Sequence, residues 1–133
     1  MAEDIQYKND YRIIVVDDSE YSRNAMVTAL ENNDFNVASA VKSAEEAIQK
    51  ADGKINLFII DVVMPKTNGI ELAKLVSDKF SDADMIMVSS LKYEQVMIEC
   101  ISAGAKDFLR KPFDDNDLIS SVDKLAYQKF TDE

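Results

Sequence analysis

Short runs of β-branched and aliphatic residues alternate along the chain with longer stretches in which apolar side chains recur every three or four positions. That order predicts strands and helices in turn, and hence an α/β domain whose sheet is mostly parallel and covered on both faces. Strands are predicted at residues 12–16, 35–40, 57–60, 85–88 and 108–110. The helix after the first strand carries Ala25, Met26, Ala29 and Leu30 as one apolar stripe, and Asn32, Asn33 and Asp34 end it. Ser43, with Glu46 three residues on, has the spacing of a capping box and opens a short second helix to about Ala51, stopped by Asp52-Gly53. A loop with Pro65 and Asn68-Gly69 leads into a third helix with Ile70, Ala73, Val76 and Phe80 on one side. The fourth helix runs from about Tyr93 to Ala103, turns Val96, Cys100 and Ala103 inward, and stops at Gly104. The fifth opens at Asp114 and Asp115, acids suited to the positive end of the helix dipole, and buries Leu118, Val122 and Leu125.

Composition narrows the class. With 133 residues, 47% of them hydrophobic and 30% charged, the chain is expected to form one folded domain that buries about two thirds of its unfolded surface. Acids outnumber bases 25 to 15, and a surface of net charge -10 repels a phosphate backbone, so no nucleic-acid partner is expected. The longest unbroken apolar runs span four residues, against about 18 for a spanning helix, so no membrane insertion is expected. Residues 1–11 are acidic and polar and suggest neither a signal nor a transit peptide. A single cysteine, Cys100, allows no internal disulfide, and a cytoplasmic location is expected.

Chemistry enters at the strand ends, because ligands of open parallel sheets bind outside the carboxyl ends of the strands. Four of the five predicted strands end in polar residues: Asp17 and Asp18, Asp61, Ser89, and Lys111. Asp61 closes an apolar strand, where a bare charge is costly unless it is paired or bound to a metal. Three carboxylates gathered at one edge repel one another unless a cation sits among them. Mg²⁺, a hard ion that takes oxygen ligands and keeps waters, suits such a set better than zinc, for which the chain has no histidine. Lys111 can then neutralise an oxygen of an incoming phosphoryl group, and the Ser89 hydroxyl can donate to another. Together these residues describe a phosphoryl-transfer site in which positioning and charge stabilisation do most of the catalysis.

The pattern resembles the receiver domain of two-component response regulators, most of all the small single-domain receivers of chemotaxis. The matching stretches are Ile13-Ile14-Val15-Val16-Asp17-Asp18-Ser19, Asp61-Val62-Val63-Met64-Pro65 with Asn68-Gly69, Met87-Val88-Ser89-Ser90, Gly104-Ala105-Lys106-Asp107-Phe108 and Lys111-Pro112-Phe113. The resemblance covers residues 12–130, leaving 1–11 as an N-terminal extension and 131–133 as a C-terminal tail. It implies a flavodoxin-like fold: a five-stranded parallel sheet of order 2-1-3-4-5 with five helices on its two faces. It also implies that Asp61 takes a phosphoryl group from a histidine kinase or a phosphotransfer protein, and that Asp17, Asp18, Asp61 and the backbone carbonyl of Val63 hold Mg²⁺. Ser89 and Phe108 would be the switch pair, Lys111 would pair with the phosphate, and Lys111–Pro112 would be a cis bond.

On this resemblance the protein is a signalling module rather than an enzyme acting on other substrates; it catalyses only its own phosphorylation and dephosphorylation. Its output is expected through the fourth helix, fifth strand and fifth helix, with Tyr93, Met97 and Phe108 on the partner surface and a monomer as the resting state. Ser89 stands where threonine is usual and Phe108 where tyrosine is frequent. The two positions that commonly tune phosphate lifetime are Val63 and Leu91, both apolar and unable to orient a water. Two other functions compete: a phosphatase with an aspartate nucleophile, disfavoured because such enzymes carry D-x-D on the first strand, and a receiver-like adaptor independent of phosphorylation.

Overall fold

The computed structural model describes residues 7–131. After a helical turn at residues 7–10, the elements are β1 (Arg12–Val16), α1 (Glu20–Asn32), β2 (Asn36–Val41), α2 (Ala44–Lys50), β3 (Leu57–Asp61), α3 (Gly69–Lys79), β4 (Asp84–Ser89), α4 (Glu94–Ser102), β5 (Asp107–Arg110) and α5 (Asp115–Thr131). The strands pair in the order β2-β1-β3-β4-β5, every pair parallel, which is the doubly wound arrangement that the resemblance implies. The turn at residues 7–10 adds a helical segment to the five expected.

Successive strand residues point to opposite faces, so each all-apolar strand feeds two cores. Ile14, Val16, Phe58, Ile60, Met85 and Met87 pack with Ala47, Leu72, Val76 and Cys100 of α2, α3 and α4. Ile13, Val15, Leu57, Ile59, Ile86 and Val88 pack with Met26, Leu30, Leu118, Val122 and Ala126 of α1 and α5. The helices start where short polar side chains accept from free amides: Ser19 from Ser22 N–H, Ser43 from Glu46 N–H, Asn68 from Glu71 N–H and Asp114 from Asp117 N–H.

Two local expectations are corrected. The second strand starts at Asn36 rather than Phe35, because Asp34 takes a left-handed turn (φ 71°) that aims Phe35 into the α1 side of the core before the ladder begins. Ala25 is exposed, so the inward stripe of α1 is Met26, Ala29 and Leu30. Among the described residues no helix is long and apolar enough to cross a membrane.

α4 differs from its neighbours. Tyr93 caps its start without a side-chain hydrogen bond, and within its span Cys100 alone is fully buried, while Met97, Ile98 and Ile101 are exposed. Its far end is fixed. Gly104 has φ 112°, and a Cβ there would lie 2.4 Å from Ser77 Oγ, whose hydroxyl donates to the Ala103 carbonyl at 2.6 Å.

The segment ahead of β1 is packed against the domain. The Tyr7 hydroxyl donates to Asp123 Oδ1 (2.5 Å), and the fully buried Tyr11 donates to Asp84 Oδ2 (2.6 Å) at the start of β4. Burial, and then the Asp84 carboxylate, push the Tyr11 pKa well above its ordinary value. Tyr11→Phe strands that carboxylate and is expected to cost about 2 kcal/mol, read as a lower urea midpoint at unchanged slope; an unaltered midpoint would show the pair to be idle.

Candidate functional site

The site lies at the carboxyl edge of the sheet. Asp17 follows β1, and its amide extends the β1–β2 ladder by donating to Val41 O at 3.0 Å. This places its side chain, fully buried, beside β3. Asp61 is the last residue of β3 and retains 6% exposure. Asp18 is exposed at the rim, and oxygens of the Asp17, Asp18 and Asp61 carboxylates lie within 4.8 Å of one another.

Lys111, one residue past β5, brings its ammonium 3.2 Å from Asp17 Oδ2 and 3.5 Å from Asp61 Oδ2. The other oxygen of each acid accepts a backbone amide, Asp17 Oδ1 from Ser19 (2.9 Å) and Asp61 Oδ1 from Val63 (3.1 Å). Burial, followed by the charge of Asp17, pushes the Asp61 pKa up to about 6, against the pull of Lys111 and the Val63 amide. One ammonium therefore does not balance the acids. Three carboxylate donors and no histidine anywhere in the chain form an all-oxygen set, which fits a hard divalent cation.

The β3–α3 connection holds Asp61 in place. Gly69 N–H donates to Val62 O at 2.7 Å, an approach so close that a Cβ on Gly69 would lie 2.3 Å from the Asp61 carbonyl oxygen. The sequence marks Asn68-Gly69 only as a turn, and this packing role is new.

Ser89 ends β4, fully buried, with its hydroxyl accepting from Leu91 N–H (2.9 Å) and its carbonyl accepting from Lys111 N–H (2.8 Å). Lys111–Pro112 is cis. Phe108, half-buried on β5, and Leu91 pack against the α2–α4 core. Val63 is 48% exposed beside Asp61, and Tyr93 and Met97 stand apart on the outer side of α4 and its cap. The fold thus gathers Asp17, Asp18, Asp61 and Lys111, sets Ser89 and Val63 next to them in the chain or ladder, and leaves Tyr93 and Met97 on a separate surface. Sequence reasoning overlooked Arg23, whose Nη1 donates to the Asp17 carbonyl at 2.8 Å. Its position in the first turns of the helix after the acid pair was the available signal.

The sequence profile of the response regulator receiver domain matches residues 13–123. The chain belongs to that family. The receiver is 28% identical over 116 residues to the chemotaxis protein CheY of Listeria monocytogenes, covering 86% of this chain and 98% of that one. It is 30% identical over 115 residues to the chemotaxis protein CheY of Bacillus subtilis, covering 86% and 96%. Among solved structures, the receiver superposes with a TM-score of 0.82 and 28% identity on a chain of the CheX–CheY–BeF3–Mg²⁺ complex of Borrelia burgdorferi, covering 86% of this chain and 88% of that one. The protein is therefore a receiver of the CheY-like kind, within the two-component signalling theme.

Proposed function

We propose that this receiver accepts a phosphoryl group on Asp61 from a histidine kinase or a phosphotransfer protein and signals through altered protein contacts. The observation that carries the reading is the Asp61 carboxylate itself, slightly exposed at the end of β3, flanked by two further acids and faced by one ammonium. A carboxyl pushed up to about 6 is mostly ionised at neutral pH, the form in which an oxygen can attack phosphorus. An Asp61 oxygen forms the new P–O bond as the P–N bond to the donor imidazole breaks. Lys111 then exchanges part of its contact with the acids for the phosphoryl oxygens. Asp17, Asp18, Asp61 and the Val63 carbonyl would hold Mg²⁺, whose positive charge offsets the crowded oxygens during transfer.

The Ser89 hydroxyl would turn from Leu91 N–H to the phosphoryl group, Phe108 would follow, and the α4–β5–α5 surface with Tyr93 and Met97 would change its affinity for a partner. The phosphate biases two existing states. α4 suits such a shift, since its start lacks a side-chain cap. Incubation with Mg²⁺ and acetyl phosphate, followed by intact-mass measurement and peptide mapping, tests the reading. One added phosphoryl group on Asp61 is expected, and no mass gain, or label elsewhere, refutes it.

The lifetime of that group follows from its neighbours. Neither the exposed Val63 nor the apolar Leu91 can orient an attacking water. Val63→Asn combined with Leu91→Glu is expected to speed loss of the label about tenfold, a barrier change of about 1.4 kcal/mol, measured by decay after donor removal. An unchanged decay rate would show that these positions do not set the lifetime.

A further inference from the structure

Asp17 is fully buried and its carbonyl lies beyond the last β1–β3 rung, at Val16–Ile60. A buried carbonyl needs a donor, and Arg23 provides it from α1 at 2.8 Å. That carbonyl belongs to the planar peptide unit joining Asp17 to Asp18, and turning that plane changes ψ of Asp17 and φ of Asp18 together, and with them the directions in which the two side chains leave the backbone. Arg23 is itself held, because its own amide donates to Ser19 O at 2.8 Å as the first turn of α1 forms. The helix thus fixes the backbone of Arg23, from which the guanidinium reaches back to the peptide between the two acids.

We propose that Arg23 is a positioning residue for the acidic site, its guanidinium holding the Asp17–Asp18 peptide so that both carboxylates face one cation. The inference rests on the cation-site reading above. Arg23 makes no transfer-step contact here; its effect runs through the two acids. Without it the peptide turns to find another donor, and the carboxylates converge less well. Binding of Mg²⁺ weakens, while transfer at saturating Mg²⁺ changes little.

Titration calorimetry with Mg²⁺ alone tests this on the full chain. Arg23→Ala is expected to raise the dissociation constant about tenfold, while the initial rate of acetyl phosphate labelling at saturating Mg²⁺ stays within about threefold of wild type. Arg23→Lys, which retains a charged donor on a long stem, is expected to recover most of the affinity. Tyr11→Phe, destabilised far from the site, serves as the control and is expected to bind Mg²⁺ as wild type does. Unchanged affinity in Arg23→Ala, an equal loss in Tyr11→Phe, or a loss that Arg23→Lys does not relieve overturns the inference. If Arg23→Ala does not fold, Arg23→Gln carries the same test, its shorter amide falling short of the carbonyl. Wild-type protein that binds no Mg²⁺ instead overturns the cation-site reading, so the two failures are distinguishable.

Discussion

Asp61→Asn is expected to take up no phosphoryl group and yet to be the more stable protein. The amide cannot form the acyl phosphate, so labelling falls to background. The stability gain follows from the Asp61 pKa, raised from 3.8 to about 6. A carboxyl whose folded pKa lies above its unfolded one binds a proton on folding. Its favourable contribution is complete below about pH 4 and is lost as pH rises through 6. At neutral pH the wild type therefore folds with an unfavourable charge that asparagine removes, on the order of 1–2 kcal/mol once residual solvation is allowed for. Urea unfolding in EDTA should show the gap between mutant and wild type widening from pH 5 to pH 7.5. Added Mg²⁺ should narrow it by stabilising the wild type. A gap that stays constant with pH would mean that Asp61 is not strained by burial and by Asp17.

Gly69→Ala should damage both stability and transfer. The added methyl would lie 2.3 Å from the Asp61 carbonyl oxygen and 2.8 Å from Val62 Cα, both backbone atoms that cannot rotate aside. Either α3 moves outward or the end of β3 shifts, at a cost of about 3 kcal/mol. Because the displaced residue is the proposed phospho-acceptor, labelling should fall about 100-fold even at saturating Mg²⁺, the scale of loss that a misplacement of about 1 Å can bring. Gly53→Ala is the matched comparison, with nothing within 4 Å of the new methyl, and should leave both readouts unchanged. Wild-type labelling by Gly69→Ala would sink the packing argument.

The strands and the acidic site were legible for different reasons. Apolar runs such as Leu57–Asp61 identify strands buried on both faces, and a charge at the end of one calls for a partner. Asp17, Asp18, Asp61 and Lys111 could be grouped because parallel topology brings strand ends to one edge. What escaped has no periodic trace. The Arg23 bond ends on a backbone oxygen, which every residue possesses. The partners of Tyr7 and Tyr11 lie 116 and 73 residues away. The start of β2 slipped by one residue because a left-handed Asp34, not hydrophobicity, sets where the ladder begins. Ala25 misled because a small apolar side chain is tolerated on either side of a helix.

The contact at Gly104 and Ser77 gives α4 a fulcrum. The nine residues of the helix make a lever about 14 Å long, clamped at its carboxyl end and unsecured where it leaves the Ser89 turn. A tilt of about 10° about that clamp leaves the α3 junction undisturbed while sweeping Tyr93 sideways by about 2 Å. On the proposed switch, the geometry of the joint would convert a rearrangement of one hydroxyl into a displacement of a whole aromatic ring, with the largest travel at the end farthest from the pivot.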